Sequence, residues 1–203
     1  MKTNNREKIT KIAVTGVLSA IAAVLMILDF PVWFAPAFYK IDFSDLPALL
    51  GAFLCGPAAG CIIVLIKTLL NLFLNGTVTM YIGELSSLIM SLMLVLPAGL
   101  IFKKHNSIRG CVIALATGVV AVTFGSTAIN LFLLIPAYCK AFGIDLDAIL
   151  GMANAVNPAV KSAGGFLMLC VAPFNLMKSG ICALLTFLTH KKLGGLLDRM
   201  ITR

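Results

Sequence analysis

Three charged residues lie inside long apolar segments of the sequence: Lys67, Glu84 and Lys178. A charge at the centre of a bilayer costs about 2.5–3.5 kcal/mol on insertion scales, so each side chain should face the interior of a helix bundle and have a partner there. One structural interpretation is an ion pair between Lys67 and Glu84. Asn71 lies one helical turn beyond Lys67, so the three side chains could form a polar stripe. Glu84 also begins its apolar segment, where a carboxylate favours a helix N-terminus.

Two asparagines, Asn130 and Asn175, lie in the later apolar segments, and Asn175 precedes Lys178 by three residues. Residues at i and i+3 project from one face of a helix. An amide offers both a donor and an acceptor, whereas lysine offers donors only, and together they suit the edge of a planar heterocycle. Pro173 would bend the helix and free a backbone carbonyl, which favours a cavity. The structural alternative is hydrogen bonding between helices, worth about 0.6–2 kcal/mol per bond.

Other chemistries lack the residues they need. The sequence contains no G-x-x-x-x-G-K-[ST], H-E-x-x-H or C-x-x-C motif, and its six cysteines are scattered through apolar segments. These cysteines are interpreted as small apolar residues. We therefore expect no enzyme, no metal and no cofactor, and any ATP must be hydrolysed by another chain.

The composition is typical of an integral membrane protein. Of the 203 residues, 60% are hydrophobic and 12% are charged, and the mean hydropathy is +1.04. Soluble domains carry about 45–50% apolar and about 25% charged residues, so a soluble globule is excluded. Much of the net charge of +8 lies in clusters beside apolar segments, so nucleic acid is not an expected partner.

The fold predicted is all-α, with six helices in a single membrane domain covering residues 1–203. The spans are expected at about residues 9–28, 46–55, 58–74, 81–102, 110–138 and 164–188. The second is too short to cross comfortably and should pack within the protein. Two connections, residues 29–45 and 139–161, are predicted to be loops, and the first is rich in aromatic residues and proline.

The distribution of basic residues predicts the orientation. With six helices, one side carries Lys2, Arg6, Lys8, Lys11, Lys103, Lys104, Arg109, Lys191, Lys192, Arg199 and Arg203, and the other carries Lys40, Lys140 and Lys161. The positive-inside rule then predicts cytoplasmic N- and C-termini. Both loops and the ligand cavity should face outward.

Small residues recur at helical spacing in the first span. Gly16 and Ala20 form one small-xxx-small pair, and Ser19 and Ala23 form another. Such pairs let a second helix approach closely, so they indicate either internal packing or a partner subunit.

Residues 40–60 resemble the loop and second helix of the substrate-binding subunits of energy-coupling factor (ECF) vitamin transporters, and are most similar to the riboflavin-specific ones. Their Lys-x-Asp-x-Ser-Asp-x-Pro-Ala-Leu segment is the most specific feature. Further matches are Ile66-Lys67 with Asn71, Gly83-Glu84-Leu85, Asn130, and Asn175-x-x-Lys178. The resemblance covers nearly the whole chain in order.

The resemblance implies a six-helix subunit of the bacterial plasma membrane that captures a vitamin from outside. It would dock on a transmembrane T subunit and two cytoplasmic ATPases, and topple to release its cargo. In the family an Ala-x-x-x-Ala motif in the first helix docks on the partner. The nearest equivalents in this sequence are Gly16, Ser19, Ala20 and Ala23.

For riboflavin, the resemblance and the chemistry of the residues suggest the same site. Asn130 and Asn175 would bond the pyrimidine edge, and Lys178 would donate to a ring carbonyl or nitrogen. Glu84 and Ser87 would face the ribityl hydroxyls. Phe38 and Tyr39 would form an aromatic lid over the ring. Lys40 would lie near the phosphate if flavin mononucleotide binds. Ser86-Ser87 replaces an Ala-Asn-like pair of the family.

Three alternatives stay open at this point. A different vitamin such as thiamine would require acidic and aromatic contacts in place of Lys178. A small membrane protein with a structural or assembly role would use its buried polar residues for packing. A stand-alone carrier would move its substrate without ATPase partners.

Overall fold

A computed structural model describes residues 2–36, 38–77 and 79–202 of the chain, with side chains described for 5–36, 38–77 and 79–192. The helices are α1 (Lys2–Ile27), α2 (Asp45–Cys55), α3 (Pro57–Asn75), α4 (Ile82–Lys104), α5 (Ile108–Ile129), α6 (Ile135–Phe142), α7 (Leu146–Val156), α8 (Ala163–Phe166) and α9 (Ala172–Thr202). Two π-helical turns interrupt longer helices: π1 (Asn130–Leu134) joins α5 to α6, and π2 (Leu167–Val171) joins α8 to α9.

Five helical segments among the described residues are long and apolar enough to cross a membrane. They are Asn5–Ile27, Pro57–Asn75, Ile82–Lys104, Ile108–Phe142 and Ala163–Lys192, which match five of the six predicted spans. The sixth prediction, residues 46–55, corresponds to α2. This helix has only 11 residues and packs against α1, α3, α4 and α9, as expected for a short helix inside the protein.

The connection between α1 and α2 contains a short antiparallel ribbon. Strand β1 (Phe30–Pro31) pairs with β2 (Lys40–Ile41), with Phe30 opposite Ile41. The Val32 N–H also donates to the Tyr39 carbonyl at 3.2 Å. The ribbon folds this connection back on itself, so that the residues after β2 enter α2 from a fixed position.

The prediction of a loop over residues 139–161 is wrong in part. The fifth helical segment continues to Phe142, and a further helix, α7, follows. Gly143, with φ +63°, ends α6 in the left-handed conformation that favours glycine. Ile149 and Ala153 of α7 are buried. The helix was not predicted because its 11 residues are too few to cross a membrane, and Asn157 and Pro158, which favour a loop, follow it. The last helix also extends past residue 188, to Thr202.

Close helix approaches depend on glycine at a few positions. Gly118 in α5 faces α4, where an added Cβ would lie 2.6 Å from the Leu94 carbonyl oxygen and 3.3 Å from the Ala98 Cβ. Because the nearest atom belongs to the backbone, no side-chain movement could make room for it. Gly180 in α9 has nothing within 4 Å of the same position.

We predict that Gly118→Ala lowers the thermal unfolding temperature in detergent, because overpacking a helix contact costs about 1–3 kcal/mol. Gly180→Ala is the matched control and should leave stability unchanged or raise it, since alanine is favoured over glycine in a helix by about 1 kcal/mol. Equal unfolding temperatures for the two variants would contradict the close approach of α4 and α5.

Candidate functional site

A cavity of about 500 Å³ lies between the connection before α2 and the helices α3, α4, α5 and α9. Its lining includes all eight side chains that sequence analysis assigned to a ligand: Phe38, Tyr39, Lys40, Glu84, Ser87, Asn130, Asn175 and Lys178. These residues come from four separate parts of the sequence, so only the tertiary fold brings them together. Their roles toward a ligand stay predictions.

A second, largely apolar cavity of about 530 Å³ adjoins the first. The two share Phe38, Tyr39, Thr79, Asn130 and Tyr138. The rest of its wall comes mainly from α6, α7 and the segment between them, with Phe166 of α8. The combined space therefore has a polar end beside α9 and an apolar end beside α7.

The two π turns determine where the asparagines lie. Each turn ends two residues before a proline, Pro136 after π1 and Pro173 after π2. A proline lacks an N–H and clashes with the carbonyl four residues earlier, and a widened turn relieves both defects. Asn130 begins π1, and Asn175 lies one helical turn beyond the end of π2. The expected distortion near Pro173 is thus a π turn.

Asn130 and Asn175 are buried, and each is oriented by a hydrogen bond to its own helix. The Asn130 amide donates to the Ser126 carbonyl at 2.8 Å and accepts from the Tyr39 hydroxyl at 3.0 Å. The Asn175 amide donates to the Val171 carbonyl at 2.9 Å. Within the described part of the chain the Asn175 amide oxygen accepts no hydrogen bond, so it is available to a donor in the cavity.

Lys178 is held by an acidic residue that sequence analysis had assigned to an outer loop. Its ammonium lies 2.6 Å from Asp42 Oδ2, and Asp42 is only 5% exposed. The other carboxylate oxygen accepts the Ser44 backbone N–H at 2.9 Å and the Ser44 hydroxyl. Three hydrogen bonds to one buried carboxylate cannot be rearranged cheaply, so Asp42 fixes the position of the Lys178 amine.

Lys67 has a different partner from the one predicted. The fully buried ammonium donates to Asp45 Oδ1 at 2.5 Å and to the Ser44 hydroxyl at 2.6 Å. The Ser91 hydroxyl donates to the same Asp45 oxygen at 2.6 Å. The predicted Lys67–Glu84 pair is therefore wrong, because α2 packs against α3 and brings Asp45, at its first turn, beside Lys67.

Glu84 lies in the first turn of α4, where a helix N-terminus favours a carboxylate. It accepts hydrogen bonds from the Thr77 hydroxyl at 3.1 Å and the Thr79 hydroxyl at 3.0 Å. The turn before α4 places Met80 (φ 49°) and Tyr81 (φ 68°) in the left-handed region, an unusual conformation for two successive non-glycine residues. Among the described residues, no cation pairs with this carboxylate.

The rim of the cavity carries an ion pair and a group of aromatic rings. Lys40 Nζ lies 3.1 Å from both carboxylate oxygens of Asp29, and about half of its side chain is exposed. The Tyr39 ring contacts Phe174 edge-to-face and Phe38 at an oblique angle, each with centroids 4.9 Å apart. Phe38 and Tyr39 line both cavities, and their role as an aromatic lid stays a prediction.

Burial and neighbouring charge shift two acid groups in this connection. Burial alone would raise the pKa of the Asp42 carboxyl, but the ammonium groups of Lys178 and Lys67, with hydrogen bonds from Lys178 and Ser44, lower it to about 2. Because the folded-state pKa is lowered, the stability it contributes is present at neutral pH and is lost only as the pH falls toward 2. Burial, with the nearby Tyr138 and Cys170, raises the pKa of Tyr39 well above its usual range.

Sequence analysis missed the anionic half of the site. It named Lys178 and Lys67 but not their partners, Asp42 and Asp45, although both aspartates lie in the motif that carried the family resemblance. A count of charges could have indicated these partners, since two lysines inside apolar segments require two nearby carboxylates. Of the other missed residues, Thr77 and Thr79 bond Glu84 and Ser91 bonds Asp45.

The small residues of α1 lie on two different faces. Ser19 and Ala23 are buried against the rest of the chain, and the Ser19 hydroxyl donates to the Thr15 carbonyl. Gly16 and Ala20 are exposed. The two small-xxx-small pairs therefore divide between internal packing and an open helix face.

This architecture of long apolar helices around a cavity lined by buried polar side chains defines a multi-pass membrane protein of the substrate-binding kind. Residues 10–189 match the family described as "ECF transporter, substrate-specific component". The chain belongs to this family, and as a transporter component it is not an enzyme.

Named relatives and a solved structure agree with the family match. The chain is 32% identical to the riboflavin transporter FmnP of Bacillus subtilis, over 92% of this chain and 93% of the relative. It is 29% identical to the riboflavin transporter RibU of Staphylococcus aureus, over 97% and 96% of the two chains. A structure titled "Structure and mechanism of the S component of a bacterial ECF transporter" superposes with a TM-score of 0.73 and 27% identity, covering 94% of this chain and 99% of that one.

We predict that Lys67→Met lowers the thermal unfolding temperature strongly, because breaking a buried ion pair costs about 3–5 kcal/mol. The double variant Lys67→Met with Asp45→Asn should recover part of the loss, since it leaves no buried charge unpaired. Lys11→Met is the control: Lys11 pairs with Glu7 on the exposed surface of α1, where such a pair is worth about 0.3–0.5 kcal/mol. Similar unfolding temperatures for Lys67→Met and Lys11→Met would refute the buried pair.

Proposed function

We propose that this chain captures riboflavin for an ATP-driven ECF uptake transporter. The observation that carries the proposal is the convergence of Asn130, Asn175 and Lys178 at one end of the cavity, beside aromatic rings. The relatives named riboflavin transporters support the same ligand. A cavity of about 500 Å³ also falls within the range of about 300–1,000 Å³ that is usual for small-molecule sites.

The pyrimidine edge of the flavin ring alternates donors and acceptors. Asn175 contributes an amide oxygen that accepts from the ring N–H, and Lys178 donates to a ring carbonyl or nitrogen. Asn130 bonds the same edge, although its amide oxygen already accepts from Tyr39, so the ligand must share that oxygen or displace the hydroxyl. The apolar cavity beside α7 suits the dimethylbenzene end of the ring.

The ribityl chain then extends toward the first turn of α4. Glu84 and Ser87 both line that part of the cavity, and each can bond a hydroxyl group. Ser87 is shorter than the asparagine expected from the family, so it reaches less far into the cavity. Phe38 and Tyr39 cover the ring and exclude water, which strengthens the polar contacts beneath them.

Transport requires partners that this chain lacks. We propose that a transmembrane T subunit and two cytoplasmic ATPases supply the energy, and that the chain topples in the membrane to release its cargo. The exposed Gly16 and Ala20 suit close docking of a partner helix on α1. Ser19 and Ala23 lie on the buried face of α1, where they would hold the helix in position by packing against the rest of the chain.

The orientation proposed is that of the positive-inside rule. Both termini lie in the cytoplasm of a bacterial cell, and the cavity opens outward through the residues that include Lys40. Lys103, Lys104 and Arg109, which flank the turn between α4 and α5, support a cytoplasmic position for that turn. Residues 1–203 act as a single membrane domain.

We predict that the purified protein, stripped of endogenous ligand, quenches riboflavin fluorescence stoichiometrically on titration. Lys178→Ala should weaken the affinity more than about tenfold, a loss of about 1.4 kcal/mol or more, because it removes a charge-assisted donor to the ring. Lys140→Ala is the matched control, since that lysine is exposed and lies outside the cavity lining.

Absence of quenching in the wild-type protein would overturn the riboflavin assignment. Titration with thiamine would then test the next vitamin. Quenching with equal affinity in wild type and Lys178→Ala would preserve the function but remove Lys178 from the ring contacts.

We predict that flavin mononucleotide binds at least about tenfold more weakly than riboflavin. The rim lysine, Lys40, is already neutralised by Asp29, and no cation among the described residues pairs with the Glu84 carboxylate, so a phosphate on the ribityl chain is repelled. Glu84→Gln should narrow the ratio of the two dissociation constants. Raising the ionic strength should narrow it in the wild type. Equal affinities in the wild type would contradict this account of the rim.

A further inference from the structure

Two lysines and two aspartates form a closed group of buried charges next to the cavity. Lys178 pairs with Asp42 and Lys67 pairs with Asp45, and Ser44 hydrogen-bonds both halves. Two positive and two negative charges leave this group with no net charge. Its four members come from α2, α3, α9 and the residues just before α2.

Both members of the Lys178–Asp42 half line the cavity, whereas only the carboxylate of the Lys67–Asp45 half does so. Lys178 has three N–H donors, and Asp42 Oδ2 occupies one of them at 2.6 Å. The ammonium can therefore still donate to a ligand, but its charge is already balanced by a carboxylate in contact with it.

We propose that Asp42 is a specificity-determining residue: by cancelling the charge of Lys178, it makes the ring-binding end of the cavity a neutral donor set that selects an uncharged ring edge over an anionic one. This inference rests on the proposed riboflavin function and concerns a residue that contacts Lys178. Without Asp42, the same amine would be an uncompensated cation in a buried site, where an anion is the preferred partner.

The contacts of Asp42 hold its carboxylate beside Lys178. Its second oxygen is bonded twice by Ser44, and its backbone carbonyl lies 3.8 Å from Cys182 Sγ on α9. The carboxylate therefore cannot turn away from Lys178 without breaking these contacts. The titratable and charged groups that face the pair or line the same cavity are Asp29, Tyr39, Lys40, Asp45, Lys67, Glu84, Tyr138 and Cys182.

The flavin ring provides an internal probe of this charge balance. Its imide N–H loses a proton to water at alkaline pH, and the resulting ring anion has a different absorption spectrum. A cation beside the imide favours the anion, and a carboxylate beside it favours the neutral form. The pH at which bound riboflavin ionises therefore reports the net charge that Asp42 and Lys178 present to the ring.

The experiment is a spectroscopic pH titration of riboflavin bound at saturating protein concentration. We expect Asp42→Asn to lower the pH at which the bound ring ionises by about one pH unit or more relative to wild type, because Lys178 is then unbalanced. Lys178→Ala should move it in the opposite direction, since Asp42 is then the unbalanced charge. Asp147→Asn, which removes an exposed carboxylate outside the cavity lining, should leave it unchanged.

A loss of structure alone cannot produce opposite shifts in the two variants. If Asp42→Asn does not fold, the wild type decides the question: ionisation of the bound ring at or above the pH of free riboflavin supports a balanced Lys178, and ionisation at a lower pH overturns the inference. The inference is overturned if the pH at which the bound ring ionises is unchanged or lowered in Lys178→Ala. It is also overturned if that pH is unchanged or raised in a folded Asp42→Asn. Failure of the wild type to bind riboflavin overturns the proposed function instead, so the two failures are distinguishable.

Discussion

Burying charge inside a membrane protein is the constraint on which the rest of this structure depends. A lone ammonium or carboxylate in a low-dielectric interior loses several kcal/mol of hydration, and it regains that loss only through close, well-oriented partners. Lys67 meets this condition with Asp45 and the Ser44 hydroxyl, all in one buried contact. The short helix α2 has to lie deep in the bundle for that contact to form, which explains its buried faces.

The same constraint shapes the cavity. Asp42 lies just before α2, and Asp45 begins that helix. Because both aspartates bind buried lysines, the connection after β2 lies inside the bundle and forms a wall of the cavity beside α9. The π turns complete the arrangement from the other side, since each widens its helix before a proline and brings an asparagine to the wall. Polar groups that are costly in the interior are thus concentrated where a polar ligand can use them.

Much of this could be predicted from local sequence. Apolar segments of sufficient length identified the five long helical segments, and residue type identified Asn130, Asn175 and Lys178. The partner of Lys67 could not be predicted, because Glu84 and Asp45 are both acidic and only the packing of α2 decides between them. The helix α7 was missed because its 11 residues are too few for a membrane span, and the region around it contains Asn154, Asn157 and Pro158, which are typical of a loop. A bend at Pro173 was predicted from the sequence, but its accommodation as a π turn is a property of the three-dimensional fold.

One short stretch of chain joins Tyr39 to the ion pair of Asp42 and Lys178. Tyr39, which donates a hydrogen bond to Asn130, is followed three residues later by Asp42, which is bound to Lys178 and Ser44. Three residues of extended chain span at most about 10 Å. While Asp42 keeps its contacts, the distance that Tyr39 can move away from Asp42 is therefore limited by the length of this segment.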